Sequence, residues 1–370
     1  MPAARQLYFA PGEYFDGLVA DIDKALHEIN LETYIFELDS VGNRVLAALD
    51  RAAHRGVRLR LLIDGVGSYH QAGAIARRLD SANCELRVFH PLPWDFALYR
   101  RALQAGRWYS QLLYLLASIN RRDHRKLCVI DGKSAWLGSF NISDDHFNRR
   151  SLQAGDYWHD TGLRVSDSSV KILAANFTRV WQRKTESVGV RSRQFLGVEE
   201  ISRRRQRKLH IMHVLELAAQ RIWITNAYFN PTKRVLKILK RKAKQGVSVK
   251  LIVPEHSDIF FFPTLARTFY SDLLQANIRV FEYGESVLHS KTMLIDGQVL
   301  VGSTNLNYRS LFHDLELDLL LDDRELLQKL HNRFERDLDS STEITLRNRG
   351  RHPLLLRPLG WLARFLRYFF

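Results

Sequence analysis

Two short segments of this chain combine residues that can do chemistry. The first reads His124-x-Lys126-x4-Asp131 and the second His289-x-Lys291-x4-Asp296. Each aspartate precedes a glycine, and each segment runs on to Gly-Ser-x-Asn, giving Ser139 and Asn141 in one copy and Ser303 and Asn305 in the other. The neighbours are Leu, Val and Ile, so each segment reads as a strand beside a core. Residues two apart on a strand project to the same face. A histidine and a lysine directed together from an otherwise apolar strand need a reason, because burying such groups is costly. One such pair would pass as surface decoration; two in equivalent settings do not. An imidazole can act as nucleophile or move a proton, and an ammonium can hold developing negative charge.

The elements that must position these residues are duplicated. Arg44 to Val57, RVLAALDRAAHRGV, matches Arg234 to Val247, RVLKILKRKAKQGV, at an offset of 190 with eight of fourteen positions identical. Both have helical spacing of apolar residues and stop at a glycine suited to a helix C-terminus. A β-branched and aromatic run precedes each (Glu32 to Phe36; Ile224 to Phe229), and a strand-like run follows (Leu59 to Ile63; Val249 to Val253). Strand, helix, strand, twice over, predicts two α/β halves with largely parallel central strands. The expected organisation is an N-terminal unit over 1–190, a linker over 191–207, a C-terminal unit over 208–345 and a basic amphipathic tail over 346–370.

The halves differ at one place. Phe89 to His124 spans 35 residues, whereas Phe281 to His289 spans 8, so the first half carries an insertion of 27. This stretch, within about 91–122, is rich in Leu, aromatic and Arg residues. It reads as one or two basic amphipathic helices at the mouth of the site.

Composition narrows the partner. Of 370 residues, 55 are Lys or Arg and 40 are Asp or Glu, a net charge of +15 with a pI near 9.9. Such a field favours a polyanion, either nucleic acid or an anionic membrane surface. Cys84 and Cys128 form neither a disulfide framework nor a metal pattern, and read as small core residues in a reducing compartment. H-E-x-x-H, Cys-x-x-Cys and clustered Asp ligands are absent from the sequence, so no metal or other cofactor is expected. The N-terminus lacks a long apolar signal region, and no apolar run reaches the roughly 18–20 residues a spanning helix needs. A soluble or peripheral protein is expected.

The paired motif, with Asn141 and Asn305 downstream, resembles the double HKD signature of the phospholipase D superfamily, over about residues 5 to 345. The resemblance implies two tandem phospholipase-D-like α/β domains related by pseudo-twofold symmetry, with mixed sheets flanked by helices and both motifs in one cleft. It also implies a metal-free reaction at a phosphodiester. His124 is assigned as the nucleophile that takes the phosphatidyl group, and His289 as the acid and then base; pseudo-symmetry permits the reverse. Lys126, Lys291, Asn141 and Asn305 would hold the non-bridging oxygens. Asp131 and Asp296 count with the motif's catalytic set, as structural or orienting groups. Glu316 and Asp160 occupy equivalent late positions, where in the superfamily an acid can hydrogen-bond the catalytic histidine; for Asp160 a capping or turn role stands beside that one. Ser139 and Ser303 either donate to phosphate or close the turn after Gly.

The superfamily includes lipases, nucleases and lipid synthases, so the motif does not fix the substrate. The stretch from Leu31 to Ser68 and the first motif region resemble bacterial cardiolipin synthases, of the shorter subgroup without N-terminal transmembrane helices. The apolar character of the insertion also favours lipid over a nuclease groove. So does the tail, whose Arg357, Arg364 and Arg367 fall on one stripe of a helix otherwise covered by Trp, Leu and Phe, suited to a membrane interface. The expectation is a peripheral enzyme of the bacterial inner membrane. It would make cardiolipin from two phosphatidylglycerol molecules at an anionic phospholipid surface, with nucleic acid disfavoured as a partner and protein partners left open. Hydrolytic phospholipase D or another head-group transfer, with phosphatidylethanolamine as an alternative donor, is the second reading. A nuclease ranks third, and a non-catalytic membrane-binding protein is the rival from another class.

Overall fold

A computed structural model of the chain describes residues 4–79, 82–91, 121–147, 158–182 and 201–347, without the side chains of 201–207. Two seven-stranded sheets organise it. The first contains β1 (Arg5–Tyr8), β2 (Glu28–Thr33), β3 (Arg58–Asp64), β4 (Cys84–Phe89), β5 (Leu127–Ile130), β6 (Ser134–Gly138) and β7 (Gly162–Val165), ordered β1-β7-β6-β5-β2-β3-β4. The second contains β8 (Arg221–Asn226), β9 (Ser248–Pro254), β10 (Arg279–Tyr283), β11 (Lys291–Ile295), β12 (Gln298–Gly302), β13 (Asp318–Leu321) and β14 (Ser341–Ile344), ordered β13-β12-β11-β8-β9-β10-β14. Six strands of each correspond in order. β1 is added beside β7 in one sheet, and β14 beside β10 in the other.

The repeated segments form the crossover helices, α2 (Ser40–His54) and α6 (Lys233–Lys244). Asp39 caps α2 by accepting from the Gly42 N–H, and Thr232 caps α6 by accepting from that of Val235. Such caps satisfy amides that the first helical turn leaves unpaired. Gly56 and Gly246 follow the helices at φ +87° and +90°, a region that favours glycine. Each chain then returns as a parallel strand, Glu28 opposite Arg58 in one half and Arg221 opposite Ser248 in the other.

The layers follow from which faces are apolar. The outer face of the first sheet is covered by α1 (Pro11–Asp23), α2 and α3 (Ala72–Arg78), burying Phe15, Ile22, Leu49 and Ile75. The outer face of the second packs against α5 (Ile201–Leu217), α6, α7 (Phe261–Arg267), α8 (Tyr270–Leu274) and α9 (Tyr308–Phe312), burying Leu215, Leu239, Leu265 and Leu311. The inner faces meet in one shared core. There Val129, Leu137 and Leu163 join Leu294, Val299 and Val301, together with Phe177 of α4 (Ser169–Gln182) and Phe334 of α10 (Arg324–Asp339). At about 1.5–3 kcal/mol per fully buried large side chain, this layer fixes the halves against each other. The expected pair of α/β units with mixed, helix-flanked sheets is what the chain adopts.

Helix α5 begins at Ile201, inside the stretch read as a linker. Most of the insertion (92–120) and of the tail (348–370) lies outside the described residues. Among those described, no helix is long and apolar enough to cross a membrane.

Candidate active site

The halves are stitched together at the motifs themselves. The His124 N–H donates to the Leu315 carbonyl (3.0 Å) and the Leu315 N–H to that of Arg122 (2.8 Å). The second half repeats the exchange: His289 N–H to the His159 carbonyl (2.9 Å), and His159 N–H to that of Val287 (2.9 Å). Each motif histidine therefore sits beside the late strand segment of the opposite half.

This crossing decides the carboxylate partners. His124 Nδ1 lies 3.1 Å from Glu316 Oε2, contributed by the C-terminal half. His289 Nδ1 lies 2.8 Å from Asp160 Oδ1, contributed by the N-terminal half. Both carboxylates are fully buried, and both histidines line one cleft of about 510 Å³. An Nδ1–H held by a carboxylate sets the tautomer and leaves Nε2 as the nitrogen that can react.

A second histidine breaks the symmetry, and nothing in the motif spacing singled it out. His146, in a short 3-10 turn over Asp144–Phe147, also directs Nδ1 to Asp160, 2.7 Å from Oδ2. Its Nε2 accepts the Asn141 N–H at 2.9 Å, so the proton must reside on Nδ1. Asp160 thus serves two imidazoles, whereas Glu316 accepts the Ser303 hydroxyl beside His124. His146, Asp160 and His289 bring ligand-type atoms within 4.8 Å of one another. The hydrogen bonds account for that closeness: both His146 nitrogens are engaged, one as donor and one as acceptor, leaving no lone pair there for a metal.

Electrostatics separate the two motif histidines further. Burial and the charges of Lys126, Lys291 and His289 hold His124 well below the ordinary imidazole value. Burial and Lys291 lower His289 to about 4, with the Asp160 charge and hydrogen bond pulling the other way. Burial would raise the Asp160 carboxyl, but His289 and His146 hold it well below the usual range. Lys126 and Lys291 are pushed down to about 8 and about 7 by burial, against the neighbouring carboxylates. Each ammonium donates to the backbone carbonyl of its own motif histidine, Lys126 to His124 at 2.7 Å and Lys291 to His289. Each also lies near a tyrosine ring, Lys126 5.4 Å from the Tyr34 centroid and Lys291 5.7 Å from that of Tyr228. These tyrosines follow β2 and β8, line the cleft and flank the motif histidines. Their signal was the aromatic run ahead of each repeated helix.

Asn141 and Asn305 line the cleft. The Asn305 side-chain oxygen accepts the Tyr228 N–H at 3.3 Å, which leaves its amide NH₂ for a ligand. Arg122, Arg309, Asp258 and Asp314 add further charge to the cleft wall. Burial raises Asp314 to about 7, with Arg309 opposing and the Glu316 charge adding to the rise. None of these four stands out by motif, although Asp314 precedes Glu316 by two residues.

Four of the expected site residues do not line the cleft. Asp131 leaves β5 at φ +52° and accepts the N–H groups of Leu26, His27 and Glu28. Asp296 leaves β11 at φ +50° and accepts those of Ala219, Gln220 and Arg221. Neither lines the cleft. They sit at the far ends of the motif strands and pin the chain entering the neighbouring strand, which is the structural part of the reading given to them. Ser139 and Ser303 are fully buried behind the cleft. Their hydroxyls accept the N–H groups of Thr161 (3.0 Å) and Leu317 (2.9 Å), tying the strand that follows the motif to the strand bearing each carboxylate.

Known proteins resemble this chain in sequence and fold. The family described as "Cardiolipin synthase, PLD-like domain" matches residues 18–181 and 211–338. A cardiolipin synthase of Oceanobacillus iheyensis is 30% identical, covering 90% of this chain and 68% of that protein. One of Listeria innocua is 28% identical over 92% of this chain and 70% of the relative. The crystal structure of phosphatidylserine synthase from Haemophilus influenzae Rd KW20 superposes with a TM-score of 0.70 at 14% identity, covering 100% of this chain and 96% of that one. That likeness shows the fold.

Proposed function

This chain belongs to the cardiolipin synthase family of phospholipase-D-like domains, and from that premise we propose that it moves a phosphatidyl group between two phosphatidylglycerol molecules, releasing glycerol. It is a phospholipid phosphatidyltransferase by family. The observation that carries the finer reading is the pair of imidazoles in one cleft, each with Nδ1 held by a carboxylate from the opposite half.

In the first step His124 Nε2 attacks phosphorus and a P–N bond forms as the P–O bond to the leaving glycerol breaks. His289 gives its proton to that oxygen. In the second step the glycerol hydroxyl of another phosphatidylglycerol attacks the phosphorus. His289 takes the hydroxyl proton, the P–N bond breaks, and cardiolipin leaves. His124 suits the nucleophile because burial, and then the charges of Lys126 and Lys291, keep it neutral. His289 suits the proton carrier because Asp160 opposes the lowering of its pKa and the negative charge of a bound phosphodiester raises it further. Lys126, Lys291, Asn141 and Asn305 take the charge that builds on the non-bridging oxygens, in a buried setting where such contacts are strong. One phosphodiester replaces another, so no nucleotide is consumed. Attachment to the membrane is peripheral in this reading.

Purified protein incubated with phosphatidylglycerol vesicles and followed by mass spectrometry tests it. Cardiolipin with free glycerol is the expected outcome. Phosphatidic acid alone identifies a hydrolase, and DNA cleavage without lipid turnover overturns the reading.

A further inference from the structure

The duplicated fold supplies its own control for surface charge. Helices α2 and α6 are counterparts, yet they face solvent differently. On α2, Arg44 pairs with Asp16 and Arg51 with Asp23, both carboxylates coming from α1. On α6 the aligned exposed positions are Arg234, Lys237, Arg241 and Lys244, with Lys233 exposed ahead of them and Lys240 and Lys242 half-buried. The helix contains no acid. Among the described residues its one ion pair is Arg241 with Glu216, at 3.5 Å. The fold alone does not require this, since α2 does the same packing with its charge neutralised.

Apolar residues stand beside this cationic face. Helix α6 starts where β8 reaches the cleft, and the next parallel strand, β9, leads into Asp258-Ile-Phe-Phe-Phe262. The two loops are joined by the Tyr228 hydroxyl donating to Asp258 (2.6 Å) and by the Tyr228 and Phe262 rings, 4.6 Å apart. Phe260 between them is 78% exposed, while Ile259, Phe261 and Phe262 line the cleft. Leu209 is exposed on α5, the helix packed alongside α6.

We propose that the exposed face of α6 and Phe260 form a docking surface for a bilayer rich in anionic headgroups, set at the mouth of the cleft. Single-sign charge matches an anionic surface, and each basic residue near one contributes a factor of roughly five to binding. The exposed Leu209 favours hydrocarbon over nucleic acid, because an aliphatic side chain does not stack on bases, and the exposed Phe260 suits the same apolar boundary. The surface would bring the cleft against the lipid it consumes. The inference rests on the phosphatidyltransferase reading.

The test uses the full chain with Lys233→Gln, Arg234→Gln and Lys237→Gln combined, Phe260→Ser separately, and Arg44→Gln with Arg51→Gln on α2 as control. Binding is measured by flotation with phosphatidylglycerol vesicles and with phosphatidylcholine vesicles, and to duplex DNA by gel shift. Turnover of a dispersed short-chain phosphatidylglycerol is measured beside it. The triple variant should bind phosphatidylglycerol vesicles roughly 100-fold more weakly and the Phe260 variant more weakly than wild type, with control binding and dispersed-substrate turnover unchanged. Unchanged vesicle binding with intact turnover overturns the docking surface and leaves the transferase reading standing. Loss of DNA binding with vesicle binding retained assigns the face to nucleic acid and overturns it as well. Failure of the wild type to turn over the dispersed lipid removes the reading on which the proposal rests.

Discussion

Asp160 holds two imidazoles at once, and this separates His289 from His124. Replacing His146 by Phe leaves the whole carboxylate charge to His289. The His289 titration should then move up from about 4, since an undivided opposite charge favours the protonated form. Turnover should fall about tenfold as the Asn141 N–H loses its acceptor. NMR titration of the imidazole resonances distinguishes this from loss of fold, which would not move a single pKa. The lysines predict a second pH effect. The ratio kcat/KM reports the free enzyme, where Lys291 and Lys126 lose their protons near 7 and 8. Phosphate binding needs the charged forms, so kcat/KM should fall as pH rises through that window. A bound phosphodiester raises both values, so kcat should hold to higher pH. A flat kcat/KM profile across neutral and mildly alkaline pH would contradict this.

At the scale of elements, the motif aspartates matter through hairpins. Asp-Gly between two apolar runs is a hairpin signal, because both residues tolerate positive φ. The loop at Asp296-Gly297 joins β11 to β12 with Ile295 opposite Gln298. Asp131→Ala or Asp296→Ala each removes three backbone hydrogen bonds, a cost of about 1–3 kcal/mol. The midpoint of denaturant unfolding should drop while the folded enzyme keeps its turnover rate within about threefold of wild type. A drop in turnover of two orders of magnitude at unchanged stability would instead place them in the catalytic set.

Much of this was legible in the chain. The matched helices, their closing glycines and the strand-like runs on either side gave the two halves and the crossover units. The repeat also aligned Asp160 with Glu316. It could not say that each acid serves the other half's histidine, because internal similarity equates positions without arranging the copies in space. His146 was silent for another reason: its counterpart by alignment is Ser310, so the duplication that exposed the motifs conceals a residue present in only one of them.

At the scale of the molecule, one core is shared by both sheets, and the reciprocal bridges at His124 and His289 lie beside it. The halves should therefore unfold as one unit, in a single calorimetric transition coincident with loss of activity. Leu294→Ala, in that shared layer, should cost about 2–5 kcal/mol and lower the one transition. Two separated transitions would show that the halves stand independently and that the cleft depends on less than the whole fold.

The proposed transfer passes a phosphorus atom through His124. Acid-stable adducts are not expected of a phosphohistidine, so the enzyme should be quenched under alkaline conditions within its first turnover on phosphatidylglycerol, digested, and its peptides weighed. A phosphatidyl mass is expected on the peptide containing His124 and none in the His124→Ala protein. An adduct confined to the His289 peptide, or cardiolipin formed at full rate by His124→Ala, would contradict it.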